Sequence, residues 1–330
     1  MTIKLTILGL NRIGASIGLS LASRKEQLQL LRVGNDREHG FARQAEKMGA
    51  IDKVVINLHN AVEDADIVIL ALPVDEIRST LEVIAGDLKP GVVVVDTSPV
   101  KSSVMSWAAE LLPEDRFFIS ITPSLSATAL LDGDNSVEKA HADLFKDSLM
   151  LITSPHGTDE SALNLANNLT SLLGAKPLYS DAAESDGLLA ATHLLPGIVS
   201  AALVNATTGQ PGWREARKVA SRAYAQATEL ALQRDDPSNP GQTALLNPEN
   251  TARMIDAMIE ELAKIRDGLR SGETEQVQAC LKQAQDARAL WWAQRQKGDW
   301  EPRADKDVKM PSGSEIIGRL FGIRPRKDKK

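Results

Sequence analysis

Residues 2–21 set the terms for the rest of the chain, because they read as a strand, a glycine turn and a helix in immediate succession. Thr2 to Leu8 alternates and then saturates with β-branched and aliphatic residues, as a strand buried on both faces does. Gly9 breaks it, and Ile13, Ile17 and Leu21 recur at helical spacing. That order makes an anion site: the turn lets backbone approach a phosphate, and the helix start offers unpaired N–H groups with partial positive charge. The dinucleotide fingerprint is G-x-G-x-x-G, and here it reads Gly9-Leu10-Asn11-Arg12-Ile13-Gly14. Asparagine enters positive φ more readily than other non-glycine residues, so the turn is expected to survive at Asn11, with its side chain crowding the pyrophosphate seat. The main chain from Leu10 to Ile13 is expected to hold the pyrophosphate, with Gly14 letting helix and strand touch.

A second strand, Leu28 to Asp36, ends in an acid twenty-two residues after Gly14. A carboxylate at that distance suits the ribose hydroxyls of NAD. The alternative for Asp36 is a turn residue or the N-cap of the next helix. Arg37 beside it leaves room for a 2′-phosphate, so NAD is the expected cofactor and NADP the alternative.

Further strands follow at Val54-Val55-Ile56, Asp64 to Leu72, Val92 to Ser98 and Phe117 to Thr122, separated by helices over 41–48, 76–88 and 101–111. This alternation predicts an α/β fold, a Rossmann-type doubly wound parallel sheet with right-handed crossovers. Ligands lie beyond the carboxyl ends of such strands, which places Leu72-Pro73-Val74, Thr97-Ser98 and Thr122-Pro123 on one rim with the glycine turn. Two more strands, Leu149 to Thr153 and Lys176 to Tyr179, flank a helix over 160–173. After Asp181 the texture is helical only, with helices expected over 183–205, 214–234, 249–271 and 274–296. The expected division is a nucleotide-binding domain over 1–181, an all-helical domain for substrate binding and dimerisation over 182–309, and a basic, mobile tail over 310–330. If the tail docks on a partner subunit, Ile316, Leu320 and Phe321 are the residues expected to make the contact.

Composition narrows the partners. A net charge of −6, with no basic stripe before the tail, argues against nucleic acid. The single Cys280 excludes a disulfide framework and a thiol metal site, and Asp235-Asp236, lacking any partner motif, is not read as a metal site. The chain opens directly on a strand and its apolar runs look far shorter than a membrane span, so no signal peptide and no membrane partner are expected. The expected compartment is cytoplasmic, and four amphipathic helices in roughly 110 residues call for a second copy to cover their outer faces, hence a homodimer.

The residues 3–293 resemble the prephenate/arogenate dehydrogenase family. The marks are Gly9-Leu-Asn-Arg-Ile-Gly-Ala-Ser16, Asn35-Asp36-Arg37, Asp66 to Val74, Lys89-Pro-Gly-Val-Val-Val-Val-Asp-Thr-Ser-Pro-Val-Lys101, Thr192-His193-Leu-Leu-Pro196 and Gly212-Trp-Arg-Glu-Ala-Arg-Lys-Val-Ala220. The resemblance implies a nucleotide-binding domain joined to a helical domain that dimerises. It also implies NAD- or NADP-dependent oxidation of a cyclohexadienol carboxylate with loss of CO2. The departures cluster where the chemistry should be. Thr122-Pro123 stands where the family has His-Pro, Pro99 replaces a serine, and of two family histidines only His193 remains, since Gly197 has no side chain. The family's arginine for a substrate carboxylate aligns with Lys218, with Arg217 and Arg214 close in sequence. By this resemblance the catalytic candidates are His193, Thr122 and Lys101, which opens a helix at the binding rim. The substrate-binding candidates are Arg214, Arg217 and Lys218, with i, i+4 spacing setting Arg214 beside Lys218. A family member acting on another small carboxylate and a non-enzymatic nucleotide sensor stay open beside the enzyme.

Overall fold

A computed structural model describes residues 2–23, 29–132, 136–232 and 240–298. The tail over 310–330, with its apolar residues, and the Asp235-Asp236 turn lie outside the described residues. Eight strands form one sheet: β1 Ile3–Leu8, β2 Leu30–Asn35, β3 Lys53–Val54, β4 Ile67–Leu70, β5 Val93–Asp96, β6 Phe117–Pro123, β7 Leu149–Thr153 and β8 Lys176–Tyr179. Their order is β3-β2-β1-β4-β5-β6-β7-β8. The chain turns back at β1, so the gap between β1 and β4 is the switch point at which open α/β sheets bind ligands. The pairing runs Asn35–Leu8–Leu70–Asp96–Ser120, which sets the ends of four strands in one row, with β6 reaching three residues further to Pro123.

The sheet is parallel from β3 through β6, as expected. The next strand, β7, whose direction the sequence left open, pairs antiparallel to β6, Thr122 opposite Leu151. The described residues of the connection over 124–148 carry two single 3-10 turns and no crossover helix, consistent with that antiparallel pairing. The central strands are apolar on both faces because helices cover both. Ile67, Ile69, Val93 and Val95 join one core with Ile17 and Leu21 of α1 (Arg12–Ala22). Val68, Leu70 and Val94 join the other, with Ile77 and Leu81 of α4 (Val74–Ile84) and Val104 of α5 (Ser102–Leu111). Helices α2 (His39–Lys47), α3 (Leu58–Val62) and α6 (Glu160–Leu172) complete the layers.

From Ala182 onward the described elements are helices: α7 Ala182–Leu189, a π turn at Ala190–Leu194, α8 Leu195–Thr208, α9 Trp213–Ala216, α10 Arg222–Thr228, α11 Pro240–Leu246, α12 Pro248–Ser271 and α13 Thr274–Lys297. The π turn has a cause in the sequence. Pro196 has no N–H for the carbonyl of Thr192, and its ring would crowd that carbonyl. The single helix expected over 214–234 is instead two short ones, α9 and α10, and a 3-10 turn. They fold back on α8: Trp213 packs on Tyr224 with centroids 5.7 Å apart, and the Tyr224 hydroxyl shares a 2.8 Å hydrogen bond with Thr207 Oγ1.

One correction concerns apolar length. Because the helix continues through Pro196, Ala182–Thr208 is long and apolar enough to cross a membrane by length and composition, with a mean hydropathy of 1.8 in its best window. Only 22% of that window is buried within the chain. Both apolar cores draw their buried residues from 3–175, while Ile259, Leu262, Leu269, Leu281, Leu290 and Trp291 on α12 and α13 lie exposed.

Candidate active site

The glycine turn is built by close approach. Gly9 has φ +89°, and a Cβ there would stand 2.2 Å from the Ala71 carbonyl oxygen. A Cβ on Gly14 would stand 2.0 Å from the Gly9 carbonyl oxygen. Asn11, by contrast, is not left-handed: its φ is −65° and it is the N-cap of α1. Its Oδ1 accepts the Ile13 and Gly14 amides at 2.9 and 3.2 Å, and its Nδ2 donates to the Ala71 carbonyl at 2.8 Å. Asparagine serves here by its side-chain oxygen, a common means of satisfying a helix start, rather than by its backbone.

Asp36 closes the same turn from β2. One carboxylate oxygen accepts the Leu10 amide at 2.6 Å and the other accepts the Glu38 amide at 2.7 Å. Burial pushes its pKa above the usual carboxylate value, against the pull of those two amides. Each oxygen keeps a further lone pair, so holding the turn and accepting a ribose hydroxyl are compatible. Arg37 lies outside, its guanidinium 3.0 Å from Glu76. Together the close-packed glycines, the helix start and the carboxylate fit a dinucleotide. The Asn11 oxygen takes the Ile13 and Gly14 amides that the helix start would otherwise offer to a phosphate.

Beside the turn lies a cleft of about 240 Å³. Its wall comes from Asn11, Arg12 and Ile13 at the head of α1, Leu72 after β4, Thr97 and Ser98 after β5, and Thr122 and Pro123 of β6. His193 and Leu194 of the π turn close it. Among the sequence candidates, Gly9, Leu10, Gly14, Pro73 and Val74 support this wall from behind. Leu10 and Val74 are fully buried, and Pro73 caps α4. Sequence reasoning missed Ala71, Pro99, Leu125 and Leu194; each adjoins or lies within two residues of a recognised position.

Two family models match this chain. One, described as prephenate dehydrogenase, nucleotide-binding domain, matches residues 19–179, and one described as prephenate dehydrogenase, dimerization domain, matches residues 181–283. The chain belongs to the prephenate dehydrogenase family. The match opens inside α1, beyond the glycine turn, so the turn's resemblance rests on its own geometry. A prephenate dehydrogenase of Bacillus subtilis is 26% identical over 96% of this chain and 83% of its own length. A cyclohexadienyl dehydrogenase of Zymomonas mobilis is 25% identical over 86% of this chain and 94% of its own. In fold, the chain resembles a prephenate dehydrogenase from A. aeolicus crystallised with hydroxyphenyl propionate and NAD+. The TM-score is 0.75 and the identity 20%, over 88% of this chain and 98% of that one.

Against the family pattern, this prephenate dehydrogenase relative places its departures in the cleft wall. Thr122 is buried, and its hydroxyl donates to the Ser98 carbonyl at 3.2 Å. His193 is solvent-exposed at the opposite wall, its Nδ1 3.0 Å from Thr192 Oγ1. Lys101 does not reach the rim. It is fully buried behind the wall, its ammonium donating to Ser120 Oγ at 2.6 Å and to the Ser98 carbonyl, 3.6 Å from Asp96. Burial lowers its pKa, opposed by the charges of Asp96 and Asp186. The start of α5 is likewise closed to ligand anions, since the Asp186 carboxylate accepts the Lys101 and Ser102 amides at 2.6 and 3.0 Å.

The expected carboxylate anchors are elsewhere. Arg214, Arg217 and Lys218 are exposed and take no part in the cleft wall. α9 ends at Ala216, so the i, i+4 pairing of Arg214 with Lys218 does not form, and Lys218 pairs with Glu215 at 2.6 Å. Arg12 is the guanidinium in the wall, held by the Asp132 carboxylate at 3.2 Å and its carbonyl at 3.1 Å.

Proposed function

We propose that the protein is an NAD-dependent dehydrogenase of tyrosine biosynthesis, oxidising prephenate or arogenate with loss of CO2. Residues 1–181 would bind the nucleotide and residues 182–309 would cover the substrate. The observation that carries this reading is that Thr122 and His193, from segments some seventy residues apart, line one cleft with the head of α1. The Bacillus and Zymomonas relatives, named for prephenate and cyclohexadienyl substrates, support it.

The roles follow from the side chains. Leu10 to Ile13 and Asp36 would hold the dinucleotide, which would supply the hydride acceptor. The Thr122 hydroxyl, 3.2 Å from the Ser98 carbonyl, can turn its proton to the substrate's hydroxyl oxygen and so orient it, which leaves the substrate's own hydroxyl proton for another acceptor. A threonine hydroxyl cannot take that proton near neutral pH, whereas imidazole titrates there. His193 is therefore the group that accepts the hydroxyl proton as the carbinol carbon gives up hydride and the ring carboxylate leaves as CO2.

Formation of reduced nucleotide from each acid tests this. A positioned base contributes roughly a hundredfold to ten-thousandfold, so His193→Ala should lower turnover by about that factor, and Thr122→His should raise it. A wild type inert with both acids, and unrescued by Thr122→His, overturns the substrate assignment.

The assembly follows from the uncovered apolar faces of 182–297. A second copy, rather than lipid, is the proposed cover, because the dimerization-domain model spans 181–283. Light scattering at micromolar concentration should give twice the chain's mass; a monomer refutes it.

A further inference from the structure

We infer that Glu76 is the residue by which this chain refuses a 2′-phosphorylated dinucleotide, an inference that rests on the nucleotide site read above. Arg37 directly follows Asp36 at the carboxyl end of β2, the place from which an arginine accommodates a ribose 2′-phosphate. Taken alone, that arginine makes the site ambivalent: Asp36 favours free ribose hydroxyls, and Arg37 favours a phosphate in their place.

Glu76 removes the ambivalence. It lies in the first turn of α4, where the helix start favours a negative charge, and its own amide donates to the Pro73 carbonyl at 3.0 Å. From there its carboxylate meets Arg37 Nη1 at 3.0 Å. Arg37 is 79% exposed and Glu76 34%, so the pair faces solvent and contributes little to stability. Its consequence is electrostatic. With Glu76 engaged, Asp36, Arg37 and Glu76 sum to one negative charge, and a phosphate arriving beside Asp36 meets two carboxylates and a guanidinium already in use. A ribose with free hydroxyls carries no charge there and is indifferent to Glu76.

Calorimetric titration of the full chain with NAD and with NADP tests the assignment. Glu76→Gln should tighten NADP by roughly five- to tenfold, the scale of one charge acting on a dianion near the surface, with NAD moving by less than about twofold. The gain should shrink as salt is raised, and it should vanish in the Arg37→Ala, Glu76→Gln double variant. An unchanged ratio of the two affinities in Glu76→Gln overturns the role of Glu76 alone. A wild type that binds neither nucleotide overturns the nucleotide site, and this inference with it.

Discussion

Gly14→Val should abolish nucleotide binding, and Gly14→Ala should come close to it. The first atom of any side chain at this position would stand 2.0 Å from the Gly9 carbonyl oxygen and 3.2 Å from the Ala71 Cβ. Gly9 cannot retreat. Its amide donates to the Asn35 carbonyl at 2.9 Å, its φ is +89°, and its own α-carbon faces the Ala71 carbonyl too closely to admit a Cβ. The head of α1 must instead lift from the sheet, taking with it the amides of Ile13 and Gly14 and the Asn11 cap. Overpacking costs roughly 1–3 kcal/mol even where side chains can give way, and here main chain blocks the path, so NAD affinity should fall roughly a hundredfold or more. Gly40→Ala is the control, because a Cβ there meets nothing within 4 Å. Calorimetry showing unchanged NAD affinity in Gly14→Val would remove the turn from the nucleotide site.

Lys101→Met should be the most destabilising single change among the candidates. The Asp96 carboxylate is fully buried, accepting from Ser120 Oγ at 2.5 Å, from Ser98 Oγ at 2.9 Å and from the Ser98 amide at 3.0 Å. Lys101, also fully buried, supplies the cation that balances it. Removing one partner of a buried pair leaves an uncompensated charge and costs about 3–5 kcal/mol, whereas replacing both partners is often near neutral. Urea unfolding should therefore show a large loss for Lys101→Met and a much smaller one for Asp96→Asn with Lys101→Met. A loss below about 1 kcal/mol for the single variant would overturn the role given to the Lys101–Asp96 pair. The pH dependence has a definite sign. Burial lowers the Lys101 pKa below 10.5, so between the folded and unfolded values the unfolded chain holds more protons. Stability from this residue rises with pH across that window, and Lys101→Met should lack the rise.

The strands, the glycine turn and the acid after β2 were legible because their causes are local. Val93 to Asp96 can only be a strand covered on both faces, and Gly9 and Gly14 stand where strand and helix must touch, whatever follows them. Local chemistry also offered alternatives that it had no means to choose between. Asn11 suits a left-handed turn and an N-cap alike, and the unsatisfied amides of Ile13 and Gly14 decided for the cap. Lys101 opens a helix in either reading. It points inward because β5 and β6 place Asp96 and Ser120 beside it, a pairing that register alone creates. The direction of β7 is likewise set by a pairing partner distant in sequence, and the helix expected over 214–234 breaks where Tyr224 packs back on Trp213 and Thr207. The sharing of one cleft by Thr122 and His193 belongs to the same class. The sequence determined which residues were suited to chemistry, through periodicity and steric limits acting over a few residues. Only the tertiary structure decided which of them share a cleft, because that depends on contacts between segments some seventy residues apart, whose energies no local pattern carries.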